Sequence, residues 1–141
     1  MENNSNAPAQ MMEMFTIKQT TPHNPQEIAS QMQETCSRYN FSILQRYDFH
    51  EIIKSKGFEL NREVFVFEIC QAKIASKILA DNPEFSIFMP CKIAIYEHGG
   101  ETVIATMNME MMLKIFENNA ELYTEATALF TSLKEMIFSF Q

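Results

Sequence analysis

The chain has 141 residues, 46% hydrophobic and 21% charged, which excludes wholesale disorder and sets the size of one globular domain. Its 11 basic and 18 acidic residues leave a formal charge of −7 with no Lys/Arg cluster, which excludes an electrostatic grip on nucleic-acid phosphates. No run approaches the roughly 18 apolar residues of a membrane span, the start MENNSNAPAQ lacks a signal peptide's features, and three scattered cysteines make no secreted disulfide framework, so a cytoplasmic protein is expected.

Residues 1–10 have almost nothing apolar to bury and are expected as a disordered tail, with a single domain over residues 11–141. Met11 to Lys18 (MMEMFTIK) reads as a short strand, with Phe15 and Ile17 on one face and Met12 and Met14 on the other. Asn24, Pro25 and Glu27 then form a capping box that starts a helix running to about Tyr39. Ile28, Met32, Cys36 and Tyr39 share its apolar stripe, and Asn40 is its left-handed stop. A second strand follows from Phe41 to Tyr47. Asp48 and Glu51 repeat the box spacing before a short helix, DFHEIIKSKG, anchored by Ile52 and Ile53 and ended by Gly57.

EVFVFEIC is the most apolar strand, with Phe65, Phe67 and Ile69 on one face and Val64 and Val66 on the other. Gln71 to about Asp81 reads as a helix with Ile74, Ile78 and Leu79 facing inward, ended at Asn82-Pro83. After the loop EFSIFMP and Cys91, the strands KIAIYEH and ETVIATM meet at Gly99-Gly100, a strong hairpin signal. A two-residue turn pairs Tyr96 with Val103, Ile95 with Ile104 and Ala94 with Ala105. Cys91, Ile93, Ile95 and Ile104 then share one face; Ala94, Tyr96, Val103, Ala105 and Met107 share the other. Asn108 can cap a helix from Met109 to about Glu117. The last helix, roughly Ala120 to Phe138, sets Leu122, Ala126, Leu129, Leu133, Met136 and Phe140 on one stripe.

This order predicts an α+β domain: two layers, a mainly antiparallel sheet with helices packed on one face. Strands apolar on both faces need cover on both, and one helical layer covers only one. A homodimer is therefore the expected partner arrangement.

The runs FEIC, AKIASKIL, MPCKIAIYEHGG and VIATMNMEMM, with SILQRYDF and HEIIKSKG upstream, resemble the family called domain of unknown function 302 over roughly residues 12–138. The resemblance rests most on Cys70 closing a strand, Pro90-Cys91 opening one, and the Tyr96 to Gly100 hairpin. It implies a TATA-binding-protein-like arrangement, β-α-β(4)-α, and a homodimer, and it supplies no activity. Members of that family commonly place Asn-Pro after the cysteine; here Gln71-Ala72 follow Cys70.

Cys70 and Cys91 are the first candidates for chemistry, placed near one sheet end if their strands are parallel neighbours. Cys70 also precedes a helix, whose dipole favours a thiolate. Against this, free cysteine is commonly a small buried hydrophobe. Met107, Met109, Met111 and Met112, with Met89 beside Cys91, carry the soft sulfur that selects cuprous ions. Their run crosses from strand to helix, so adjacent methionines will not all face one point, and core packing is the competing reading. His50 beside Glu51 makes an acid/base pair only with a third partner, since helix neighbours diverge; His98 is expected in solvent.

No phosphate loop, nucleophile elbow, C-x-x-C or histidine metal motif occurs. The sequence thus assigns no catalytic residue, no metal ligand and no cofactor. It favours a binding or regulatory module for a small molecule or protein, with Cys70, Cys91 and His50 as candidate site residues. A thiol-based redox or metal-handling protein using Cys70 and Cys91 is the alternative.

Overall fold

A computed structural model describes residues 7–141. Five strands form one fully antiparallel sheet in the order β1-β5-β4-β3-β2. They are β1 (Thr16–Thr21), β2 (Ser42–Asp48), β3 (Val64–Cys70), β4 (Cys91–His98) and β5 (Glu101–Met107). The helices are α1 (Ala7–Phe15), α2 (Pro25–Arg38), α3 (Phe49–Ser55), α4 (Ala72–Asp81) and α5 (Ala120–Phe138). This is the expected α+β class.

The start of α2 follows from its capping residues. The Asn24 side chain accepts from the Glu27 N–H at 2.8 Å, and the Glu27 carboxylate accepts from the Asn24 N–H at 3.3 Å. Two N–H groups that no helical turn can pair are thereby satisfied. Asn40 closes the region with φ 65°, where asparagine tolerates a left-handed backbone. At the hairpin, Gly99 and Gly100 take φ 62° and 83°, and the register pairs Tyr96 with Val103 and Ile95 with Ile104 as the turn predicts.

α2 packs on β2, β3 and β4, while α5 packs on β1 and β5, so the two helices share one face of the sheet. Between them lies the core: Phe65, Phe67, Ile69, Ile93, Ile95 and Ile104 from the strands, Ile28 and Met32 from α2, Leu133 and Met136 from α5. Phe130 and Ile137 join this core beside the expected stripe of α5. The other sheet face carries Val64, Val66, Ala94, Tyr96, Val103 and Ala105. Val103 and Ala105 are buried yet stand outside the main core cluster.

Five local expectations change. Residues 7–10, read as tail, belong to α1; residues 1–6 lie outside the described residues. The strand expected from Met11 begins only at Thr16, because α1 continues to Phe15. The loop after α4 contains a 3₁₀ helix, Pro83–Phe88, and the helix expected over Met109 to Glu117 is a shorter 3₁₀ helix, Met112–Phe116. Leu79 on α4 is exposed, since α4 meets α5 along Ile78 instead.

Replacing Asn24 with Ala removes the cap and should cost about 1 kcal/mol. A urea unfolding curve with an unchanged slope and a lower midpoint is the expected result.

Candidate ligand site

The geometry of the cysteines follows from the direction of two neighbouring strands. β3 ends at Cys70 and β4 begins at Cys91, and the strands pair antiparallel with Ile69 opposite Cys91. Antiparallel pairing brings the end of one strand to the start of the next. The parallel arrangement assumed from sequence is therefore replaced, and it is the antiparallel one that brings the cysteines to a common end. Side-chain alternation then separates them. Cys91 shares the helix-covered face with Ile69, and Cys70, one residue on, belongs to the other face. All three cysteines are free thiols.

Their acidity follows burial. Burial, with a lesser contribution from the nearby Cys70 and against the pull of Lys92, pushes the Cys91 thiol up to about 11. Burial alone pushes Cys36, inside α2, up to about 11. Cys70 also moves upward through burial, opposite to the direction a helix dipole would give. Neutral thiols are the rule here.

His50 is elsewhere. It follows β2, whose last residue Asp48 pairs with Phe65 near the start of β3, so it sits at the opposite end of the sheet from Cys70. Its Nδ1 lies 3.0 Å from the Leu60 carbonyl, which fixes that nitrogen as the N–H donor. It borders a shallow hollow with Arg62, Glu63 and Glu97. The three candidate residues thus do not form one site.

What gathers around Cys91 is sulfur and aromatic surface. Phe85, in the 3₁₀ helix after α4, packs its ring against Phe116 at 5.0 Å and Phe88 at 5.4 Å. Beside this aromatic wall, Met89, Cys91, Met109 and Met112 line a cavity of about 30 Å³, with Ile78 of α4 and Ala126 of α5 on its far side. Lys77 and Glu125, the neighbours of those last two, form an ion pair that ties α4 to α5. Phe88, Cys91 and Met109 also border a hollow of about 100 Å³ that reaches Ile87, Lys92 and Met107. Met107 and Met112 in turn border a groove of about 560 Å³ with Met14, Phe15, Glu13 and Glu110.

The shared lining residues set these three spaces side by side at one end of the sheet. β1 starts at this end, Thr16 opposite Met107, so α1 is delivered to the same place. Asn108 fixes the junction: its N–H donates to the Phe15 carbonyl at 2.8 Å and its side-chain amide to the Met14 carbonyl at 3.3 Å. Met14, Phe15, Ile87, Phe88, Met107 and Met111 all stand exposed around it. Sequence reasoning missed Phe88, Met109 and α1 as one surface. The available signal was the apolar IFMP run in a loop and the MNMEMM run.

Among the described residues no group of three His, Cys, Asp or Glu side chains is placed to hold a metal, and no helix is long and apolar enough to cross a membrane.

An antiparallel sheet layered on one face by α2 and α5 defines an α+β domain class by its fold. The chain matches the model of the family "Domain of unknown function DUF302" over residues 17–139 and belongs to that family. Among solved structures it is similar to the crystal structure of an uncharacterized conserved protein DUF302 from Bacillus stearothermophilus. That match has 20% identity and a TM-score of 0.71, and covers 89% of this chain and 94% of the other; it shows the fold. No curated protein matches the chain.

The thiol acidities predict an alkylation profile. Iodoacetamide should modify native Cys91 and Cys36 far more slowly than free cysteine at neutral pH. Cys91 labelling should climb about tenfold per pH unit until its thiol ionises. Peptide mapping by mass spectrometry across that range reads each site separately; neutral-pH labelling of Cys91 at the free-thiol rate would contradict the assignment.

Proposed function

We propose that the chain is a binding module whose ligand site is the sulfur-rich, apolar end of the sheet, working in the cytoplasm as a homodimer. The observation that carries the reading is the set of adjoining apolar spaces, from the Met89–Cys91 cavity to the Met14–Met111 groove, gathered at one end of the sheet. A soluble domain leaves such a concentration of apolar side chains in water at a cost, and a ligand or partner recovers it. Methionine is suited to this, because its unbranched, polarisable side chain adapts to different shapes. A cytoplasmic setting is consistent with three free thiols, which a reducing compartment maintains.

The thiol-redox alternative draws less support. Two protonated thiols on opposite faces of a sheet are poorly arranged for a dithiol–disulfide cycle. The dimer rests on the second sheet face, where Val64, Val66, Ala94, Tyr96, Val103 and Ala105 form an apolar centre. An isologous partner covers such a centre with its own copy.

An apolar fluorescent probe, anilinonaphthalene sulfonate, tests the site. It should bind the native protein, and the exposed-residue double variant Ile87→Asp/Met111→Asp should weaken binding at least about fivefold with the far-ultraviolet dichroism unchanged. Unchanged binding in that variant overturns the site. Light scattering tests the dimer: twice the 16.4 kDa chain mass is expected at micromolar concentration, and a monomer overturns it.

A further inference from the structure

We propose that the cavity beneath Phe88 binds one copper(I) ion through the Cys91 thiolate and the thioethers of Met89, Met109 and Met112. The inference rests on the reading of this end of the sheet as a ligand site and names the ligand of its inner part.

Two separate stretches supply these four residues: the turn into β4 with its first residue, and the stretch after β5. They meet around a space of about 30 Å³, the room of roughly one water-sized body, too small for an organic molecule. An organic ligand belongs in the outer groove. The methionines are also unlike those of the core. Met32 and Met136 are fully buried between helix and sheet, whereas Met89, Met109 and Met112 are half-buried around an opening. Met107 and Met111, the alternate members of the run, are exposed. The strand-to-helix crossing that prevents the whole run from converging still leaves three methionines and a cysteine on one cavity.

The donor set selects the ion. Thioether and thiolate are soft and prefer copper(I) over magnesium, calcium or manganese. Zinc sites draw on several thiolates, imidazoles or carboxylates, and among the described residues no such group exists here. Charge also balances: one thiolate and one monovalent cation make a neutral unit, which an apolar lining tolerates where a divalent ion with one anionic ligand would stay charged. Binding forms a copper–sulfur bond and releases the thiol proton to solvent.

The test is copper(I) competition between the full chain and bicinchoninate under anaerobic conditions with a non-thiol reductant. One copper per chain should leave the chelator, and the X-ray absorption edge region should show sulfur neighbours only. Cys91→Ser and the triple variant Met89→Leu/Met109→Leu/Met112→Leu should each lower affinity at least about tenfold. Methionine-to-leucine exchange conserves volume, so the triple variant keeps the fold and the test if Cys91→Ser does not. Cys70→Ser should bind as the parent does. No transfer from the chelator, unchanged affinity in the triple variant, or binding lost in Cys70→Ser and kept in Cys91→Ser overturns the copper site. If copper fails while the fluorescent probe still depends on Ile87 and Met111, the binding-module reading stands without it. If both fail, both readings fall.

Discussion

The antiparallel pairing of β3 with β4, in the register that sets Ile69 against Cys91, governs the rest of the molecule. Antiparallel neighbours are usually joined by a tight turn. Here residues 71–90 intervene, leaving and re-entering at the same end of the sheet. That chain has to fold over the sheet end, and it does so as α4 and the 3₁₀ helix Pro83–Phe88. The stretch after β5 arrives at the same end, because β5 runs antiparallel to β4. Two apolar excursions are thus stacked on one edge of the core. Neither is long enough to be a layer of its own, and the space they leave is the cavity.

The same constraint explains the chemistry of the thiols. A cysteine at the rim of a core loses water without gaining a hydrogen-bonding partner, so its neutral form is favoured. Cys91 has Lys92 beside it, which pulls the other way, and burial still wins. The site is consequently poor in charge and rich in polarisable surface. Its inner part offers soft donors and apolar contact, while Lys92, Glu13 and Glu110 stand at its outer spaces.

Local signals proved legible where two residues close in sequence decide the geometry. The Asn24–Glu27 box, the Gly99-Gly100 turn and the span of α5 from Ala120 to Phe138 are of that kind. The misreadings come from patterns that only distant packing can resolve. MMEMFTIK fits a strand or a helix, and α1 buries none of its residues, so no core imposed a periodicity on it. The orientation of β3 to β4 is a long-range fact, and without it the cysteines were given the right end of the sheet for the wrong reason. Leu79 and Ile78 are adjacent on α4, and only the position of α5 chooses between them. The methionine cluster was visible as composition. Its convergence on Cys91 needed the return path of residues 71–90.

The two ends of the sheet are also unequal in a way that a purely structural domain would not require. At the hairpin end stand Glu97, His98 and Glu101, with His50, Arg62 and Glu63 nearby, a solvated rim that costs nothing to expose. At the other end, exposed Met14, Phe15, Ile87 and Met111 ring the groove, with Glu13 and Glu110 among them. Relieving the patch by substitution is open to any sequence, because these positions are exposed and bear little of the core. Exposed apolar side chains at positions where polar ones would fold equally well are the physical ground for the proposed contact surface, which adjoins the cavity that Cys91 lines.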